Sequence, residues 1–442
     1  MRSLSPLSVV TAVLWLCLLG ACASRQGLPP QGDPLWMWSG ALTSTSAIVK
    51  ARVPGATVAV LDVRGADDKP GMSVAGAAAG DEGDVFTFEV NGLDPATAYT
   101  YRIDVEDRDT TVVGRLRTLP DGPGRIRIAF GSCASTGSNA TVWEAIRDAD
   151  PDLFVHMGDF HYENIVVDDP ARFRYAYERA LLSPRQGALY RQVPIAYVWD
   201  DHDFGANDAD GTVASSAAAH KVYREYVPHH PLAGDGRTPI YQAFDAGRVR
   251  VIVTDVRTAR EPMTSRSAEV RTLLGEEQLA WLLEELEQAS TDAALVLWVN
   301  VVPWITRNDE TTEHGWAPWT GERTTIANAI ERLGLTRRLV MLSGDAHMLA
   351  LDDGTNSQYA EGAQAPGPFV MHAAPLDRWP RIKGGPYSHG RSARNQQFGL
   401  LDIHDDGTTL RVSMSGRNRN NRQVSRIQLD LTCDGTRCVP VE

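Results

Sequence analysis

The chain is short of positive charge, poor in cysteine, and lacks any interior stretch apolar enough to span a membrane. Lys and Arg number 43 against 56 Asp and Glu in 442 residues, a formal net charge of −13. Such a balance argues against a nucleic-acid groove or an anionic membrane surface as the main partner, since both need a positive field. Beyond the N-terminal segment no run approaches ~18 uninterrupted apolar residues, which argues against a spanning helix. Serine-nucleophile hydrolysis lacks its usual Gly-x-Ser-x-Gly elbow. The Gly-Lys-Ser/Thr of a nucleotide-phosphate cradle is missing too. No short internal repeat or low-complexity tract occurs.

What is present reads as globular. Hydrophobic residues make up 43% and charged residues 22%, enough for a real core. The length suggests two domains. Arg2 precedes an apolar run over residues 9–19, the pattern of a secretory leader. Leu19-Gly20-Ala21-Cys22 resembles a bacterial lipobox, implying cleavage before Cys22 and a lipid on its thiol; plain cleavage nearby is the alternative. Residues 1–21 are thus expected as a lipoprotein signal peptide and 22–34, rich in Gly, Pro and Gln, as a tether. The expected location is the cell envelope or periplasm, anchored through Cys22 to the membrane. Of the five cysteines, Cys17 leaves with the leader, and Cys433 and Cys438 can close a small disulfide loop in an oxidising compartment. Cys133 is left unpaired, and metal ligation is one reason to keep such a thiol.

Short alternating segments separated by turn signals fill residues 35–119 and predict a small antiparallel sandwich. Within them NGLDPATAYTYRI resembles the fibronectin type III pattern, in which a Tyr pins the corner of the sandwich. Pro120-Asp-Gly-Pro-Gly124 is the expected linker into a catalytic domain over 120–442. There the character changes: strands are predicted over 126–130, 152–157, 195–199, 249–254, 294–302 and 338–342. Helices are predicted between them, over 141–148, 172–182, 214–226, 275–288 and 324–333, the α/β signature.

The chemistry gathers where those strands end. In DLFVHMGDFHYEN, residues 152–164, Asp159 and Tyr162 can turn a carboxylate and a phenol toward one hard cation, and a phenolate suits ferric iron. Similar clusters follow other apolar runs: Cys133; Asp200, Asp201, His202, Asp203, Asn207 and Asp208; Asp255 with Arg257; and Asp345 with His347. Crowded carboxylates repel one another and resist desolvation. Two cations sharing one Asp would relieve both, and such a pair is a standard device for phosphoester hydrolysis.

In this order, GSC, GDFHYE, WDDHDFGAND, DVRTAR, LGEEQLAWL and SGDAH resemble the alkaline phosphatase D family of calcineurin-like metallophosphoesterases, over roughly residues 125–405. The resemblance implies an α/β, four-layer αββα sandwich preceded by the small all-β domain. It implies hydrolysis of phosphate mono- and diesters by a metal-bound hydroxide at a dinuclear centre of Fe3+ and Ca2+. Carried over, it makes Cys133, Asp159, Tyr162 and His347 iron ligands, with Asp159 bridging to a second site built by Asp201 and Asp345. Asn207 becomes a further ligand or an orienting group. His202 is expected beside the leaving oxygen or a phosphate oxygen, and Arg257 either on substrate phosphate or in a salt bridge to Asp255 or a neighbour.

This sequence also departs from the pattern. The DFGAND tail leaves the roles of Asp203 and Asn207 open, and Asn300 stands where the wider superfamily usually has a His. Asn300 is either a weak ligand or a hydrogen-bonded strand-end residue. Arg378, Arg381, Lys383, His389, Arg391 and Arg394 form either an anion funnel or a solvated basic loop. Trp304, His314, Trp316 and Trp319 either wall the cleft or pack between helices, and His161 is expected to point outward. The expected enzyme is monomeric. The competing class is a non-catalytic surface lipoprotein of the same fold that binds calcium or a partner.

Overall fold

In the computed structural model, which describes residues 36–65, 71–80, 84–104, 112–233, 239–306 and 314–441, the first strands follow the alternation of the sequence. The expected leader and tether lie outside the described residues. The strands are β1 (Trp36–Gly40), β2 (Ser46–Arg52), β3 (Val60–Gly65), β4 (Met72–Ala75), β5 (Ala77–Ala79), β6 (Val85–Asn91), β7 (Ala98–Asp104) and β8 (Val113–Arg117). In β6, Phe86, Phe88 and Val90 point into the core while Glu89 and Asn91 face water, the period of two expected of a half-buried strand. They form the ribbons β1-β2-β6-β5 and β4-β3-β7-β8. Tyr99 does pin a corner: its hydroxyl accepts the Asp94 N–H at 2.8 Å.

The remainder is α/β. Strands β9 (Arg125–Gly131), β10 (Leu153–Met157) and β11 (Ile195–Val198) run parallel. Between and after them come α1 (Val142–Asp148), α2 (Pro170–Leu181), α3 (Pro184–Gln192), α4 (Asp201–Phe204) and α5 (Ser216–Tyr226). A second sheet is built from β12 (Gln242–Ala246), β13 (Val249–Val253), β14 (Leu295–Val301), β15 (Leu339–Ser343), β16 (Leu349–Asp352), β17 (Phe369–Ala373) and β18 (Arg391–Ser392). Its helices are α6 (Glu276–Asp292) and α7 (Thr320–Arg332). Buried Gln278, Leu282, Leu286 and Ala289 give α6 a single inward face. The chain ends in antiparallel β19 (Gln397–Asp405), β20 (Thr409–Asn418), β21 (Gln423–Asp434) and β22 (Arg437–Pro440), which extend the first sheet from β9. Cys433 and Cys438 form a disulfide across the last hairpin.

Two sheets face each other with helices outside each, the four-layer αββα arrangement preceded by the all-β region. All five residues of β10 are buried, as a strand covered on both faces requires. The N-terminal ribbon joins this architecture directly, because β1 pairs in parallel with β11 at Gly40 and Ile195. Trp38 packs on Phe160 and Tyr190 with ring centroids 5.8 and 5.6 Å away. The tryptophans of β1 therefore serve a core shared with the α/β layers rather than a sandwich of their own.

Candidate metal centre

The parallel strands of both sheets end along one seam. Gly344, just after β15, sits so close to the first sheet that a Cβ there would lie 2.5 Å from Ser132 Oγ and 2.8 Å from Met157 O. Gly158, after β10, has φ +81° and would meet Asp200 Cβ at 2.3 Å. Only glycine permits these approaches. They bring the strand-end residues Cys133, Asp159, Asp200 and Asp345 together.

Each of these exits bends sharply. Cys133, Asp159, Asp345 and His347 have φ of 63°, 56°, 52° and 49°, in the left-handed region. Non-glycine residues held off their preferred backbone cost on the order of 1–3 kcal/mol each, and such residues cluster at functional sites. The geometry justifies the strain. Donor atoms of Cys133, Asp159 and His347 all lie within 4.8 Å of one another, as do those of Asp159, Asp201 and His202. Asp159 belongs to both groups. Tyr162 joins the first: its hydroxyl donates to Asp159 Oδ2 and lies 3.3 Å from His347 Nε2.

The imidazoles are aimed by their other nitrogens. His347 Nδ1 donates to the Trp379 carbonyl at 2.6 Å, leaving Nε2 for the cluster. His202 Nδ1 donates to Asn164 Oδ1 at 2.6 Å, and its ring packs on Tyr162 at a tilt of 35°, with centroids 4.0 Å apart. Asp201 is held by the N–H groups of His202, at 3.0 Å, and Asp208, at 2.7 Å. Outer partners of this kind fix ring orientation and tautomer at metal sites.

Electrostatics separates working carboxylates from structural ones. Asp255 accepts hydrogen bonds from Trp199 Nε1, the N–H groups of Ile240, Arg257 and Thr258, and the Thr258 hydroxyl. Asp203 likewise accepts the N–H groups of Asp200 and His161, both at 3.0 Å. By contrast, Asp159 Oδ1 and Asp345 Oδ2, like Asp200 Oδ2 beside Arg257, are buried without a hydrogen-bond partner among the described residues. Burial, then Asp201 and Asp200, pushes the Asp159 carboxyl well above its usual range. Burial and the Asp159 charge raise the Cys133 thiol and the Tyr162 phenol in the same way. Asp345 goes down: burial opposes ionisation, but Lys383 and His314 outweigh it. Lys383 Nζ donates to Asp345 Oδ1 at 2.7 Å and lies 3.1 Å from His314 Nδ1. Orphaned carboxylate oxygens beside a thiol, a phenol and two imidazoles fit cations of mixed hardness.

Asp159, Tyr162, Asp201, His202, Asn207, Asp345 and His347 line one open cleft with Arg378, Trp379, Arg381 and Lys383. Cys133 lies buried beneath it. Asn207 is at the exposed rim, its amide donating to Asp208. Arg257 does not reach the cleft: it is 1% exposed, with Nε on Asp200 Oδ1 at 2.6 Å and Nη1 on the Ala209 carbonyl at 3.1 Å. The salt-bridge alternative describes its position. Asn300 is likewise spent inside, bonded to Ser343 Oγ and the Trp316 indole. Trp304, Trp316 and Trp319 are buried packing rather than cleft wall. His161 points inward against Phe173 and Tyr177, not outward. Of the basic loop, Arg378, Arg381 and Lys383 face the cleft, while His389 pairs with Asp353.

The PhoD-like phosphatase family model matches residues 128–372, which covers every strand end described above. The chain belongs to the PhoD-like phosphatase family. Membership brings metal-dependent phosphoester hydrolysis as its coarse function. A solved structure of PhoD superposes with a TM-score of 0.73 at 18% identity, covering 94% of this chain and 93% of that one. Purple acid phosphatase PPD1 from yellow lupin (Lupinus luteus) seeds gives 0.61 at 12% identity over 90% and 74%. At these identities the two structures attest to a shared fold. No curated protein sequence matches significantly. Sequence spacing does not reveal Asn164, whose contact with His202 spans 38 positions.

Proposed function

We propose that this family member is an exported phosphomono- or phosphodiesterase whose cleft holds an iron ion and a calcium ion sharing Asp159. The observation that carries the reading is that Asp159 lies within 4.8 Å of the Cys133 and His347 donors on one side and of the Asp201 carboxylate on the other, with one of its own oxygens unpartnered among the described residues. Cys133, Asp159, Tyr162 and His347 would hold the iron, since thiolate, phenolate and imidazole suit it. Asp201 and Asp345, helped by Asn207, would hold the harder ion. When bound, the ions supply a water activated at neutral pH and positive charge against the phosphoryl oxygens.

The protein's own groups do the rest. Arg378 and Arg381, on the cleft wall, attract the anionic ester into a molecule of net charge −13. Lys383, partly buried and fixed on Asp345, adds a positive charge to the cleft. Asn164 accepts the Nδ1 proton of His202 and turns Nε2 to the cleft, so that the doubly protonated ring can hand its Nε2 proton to the leaving oxygen. Arg257 keeps Asp201 ionised from behind: burial alone would raise that carboxyl, and Arg257 and His202 bring it below its usual range.

The lipobox-like Leu19–Cys22 stretch and the Cys433–Cys438 disulfide support export to an oxidising compartment and tethering through Cys22. The test is hydrolysis of a chromogenic phosphate monoester and diester by purified protein, with metal analysis before and after chelation. Iron and calcium near one each per chain, and activity lost on chelation and regained with both ions, is the expected result. Turnover indifferent to chelators would refute it.

A further inference from the structure

The basic loop carries a feature the metal chemistry does not use. Trp379 is 83% exposed at the cleft rim, whereas eight other described tryptophans are fully buried. A single exposed apolar side chain is ordinary by itself; what marks this one is its fixed place at the mouth of the cleft. Its placement is built, because the backbone around it is fastened to the site. Leu376 N–H donates to Ser132 O at 2.9 Å, Asp377 N–H to Cys133 O at 3.1 Å, and Arg381 N–H to His347 O at 3.1 Å. The Trp379 carbonyl takes the His347 Nδ1 hydrogen bond at 2.6 Å. The neighbouring Arg378 turns inward, its guanidinium 3.8 Å from the centre of the Tyr162 ring. The indole shares the rim with Asn207 and Arg381, and it alone there offers a flat apolar face.

We infer that Trp379 is a stacking platform that makes the enzyme prefer phosphate esters whose leaving alcohol carries a planar aromatic ring, as a nucleotide does. This rests on the phosphoesterase reading above. The remainder of the cleft is polar or charged, with Asp159, Asp201, Asn207, Asp345, Arg381 and Lys383 on its walls. An acyl chain needs continuous apolar surface, which that lining does not offer. A flat ring needs one face, and stacking on an aromatic side chain tolerates any base.

The experiment compares adenosine 5′-monophosphate with ribose 5-phosphate, two esters with the same leaving hydroxyl that differ by the base. Wild-type holoenzyme should favour the nucleotide by about tenfold or more in kcat/KM, mostly through KM, in line with measured base–aromatic stacking. Trp379→Ala should bring the ratio to within about twofold of one, and Trp379→Phe should keep most of the preference. A ratio near one in the wild type, or one that Trp379→Ala leaves unaltered, overturns the proposal while the phosphatase reading stands. If neither monoester is hydrolysed, the chromogenic diester decides whether the phosphoesterase reading stands, and binding decides the platform. Quenching of indole emission by the nucleotide but not by the sugar phosphate, abolished in Trp379→Phe, supports it; equal or absent quenching refutes it.

Discussion

Replacing Arg257 with Met distinguishes a buried structural cation from a substrate contact. The side chain is 1% exposed, its Nε is 2.6 Å from Asp200 Oδ1, and Nη2 is 4.0 Å from Asp201 Oδ1. Met preserves much of the volume and removes the charge, so the main loss is electrostatic. Removing one partner of a buried ion pair typically destabilises by about 3–5 kcal/mol; burial already pushes the Asp200 carboxyl up to about 8, so without Arg257 it takes up a proton and the loss falls at the low end of that range. Against a total stability of about 5–15 kcal/mol, that is a substantial share. Urea denaturation followed by circular dichroism, at fixed free metal concentration, reads the loss. Adding Asp200→Asn removes the stranded carboxyl, so the double variant should be more stable than the sum of the single losses by about 1–3 kcal/mol. In kinetics, kcat should fall as Asp201 loses its support, while KM for a small phosphate ester stays within about twofold. Stability within about 1 kcal/mol of wild type together with a KM raised tenfold would put Arg257 on the substrate and defeat the burial argument.

Other outcomes follow from the same geometry. Asp159→Asn should lower the content of both metals and abolish turnover, whereas Cys133→Ser should lower iron more than calcium; elemental analysis of the purified variants measures both. His202→Gln should reduce kcat by about 10²–10⁴-fold with iron content unchanged, the usual range for a lost acid–base group. Lys50, buried with its ammonium on the carbonyls of Arg224 and Glu225, has its pKa lowered to about 8, chiefly by burial. The folded chain then binds fewer protons than the unfolded one between about pH 8 and 10.5, so this residue's contribution to stability rises across that window and is lost as pH falls through 8. Lys50→Met should flatten that rise in urea-denaturation midpoints, and an unchanged slope would count against the shift.

Much of the site is legible in the sequence, because parallel strands ending in ionisable residues advertise their shared edge. Cys133, Asp159, Asp201, Asp345 and His347 all follow apolar runs, and the four-layer frame brings those ends to one seam. The elements are less complete. Helix α3 carries Pro184 and Gly187 in its first turns and shows no clean apolar stripe. Gly187 lets the helix approach α2, where a Cβ would meet Leu181 O at 2.2 Å. In β21 the alternation is plain, with Ile427, Leu429, Leu431 and Cys433 inward, but it lies past the strand–helix rhythm that sets the α/β expectation.

The deeper limit concerns which polar residues are already satisfied. Asp159 and Asp255 each follow an apolar strand, and nothing in their immediate neighbours distinguishes them. Asp255 is used up by five donors that arrive from positions 199 to 258. Asp159 keeps an oxygen free because the N–H groups near it go to Asp203 instead. A buried acceptor left open is costly unless something charged fills the place, so the distinction between scaffold and ligand is an accounting of hydrogen-bond donors in three dimensions. The same holds for β1, whose Trp38 rests on Phe160 beside Asp159. The N-terminal strands thereby press on the loop that carries the shared carboxylate, and that coupling exists only once β1 has paired with β11.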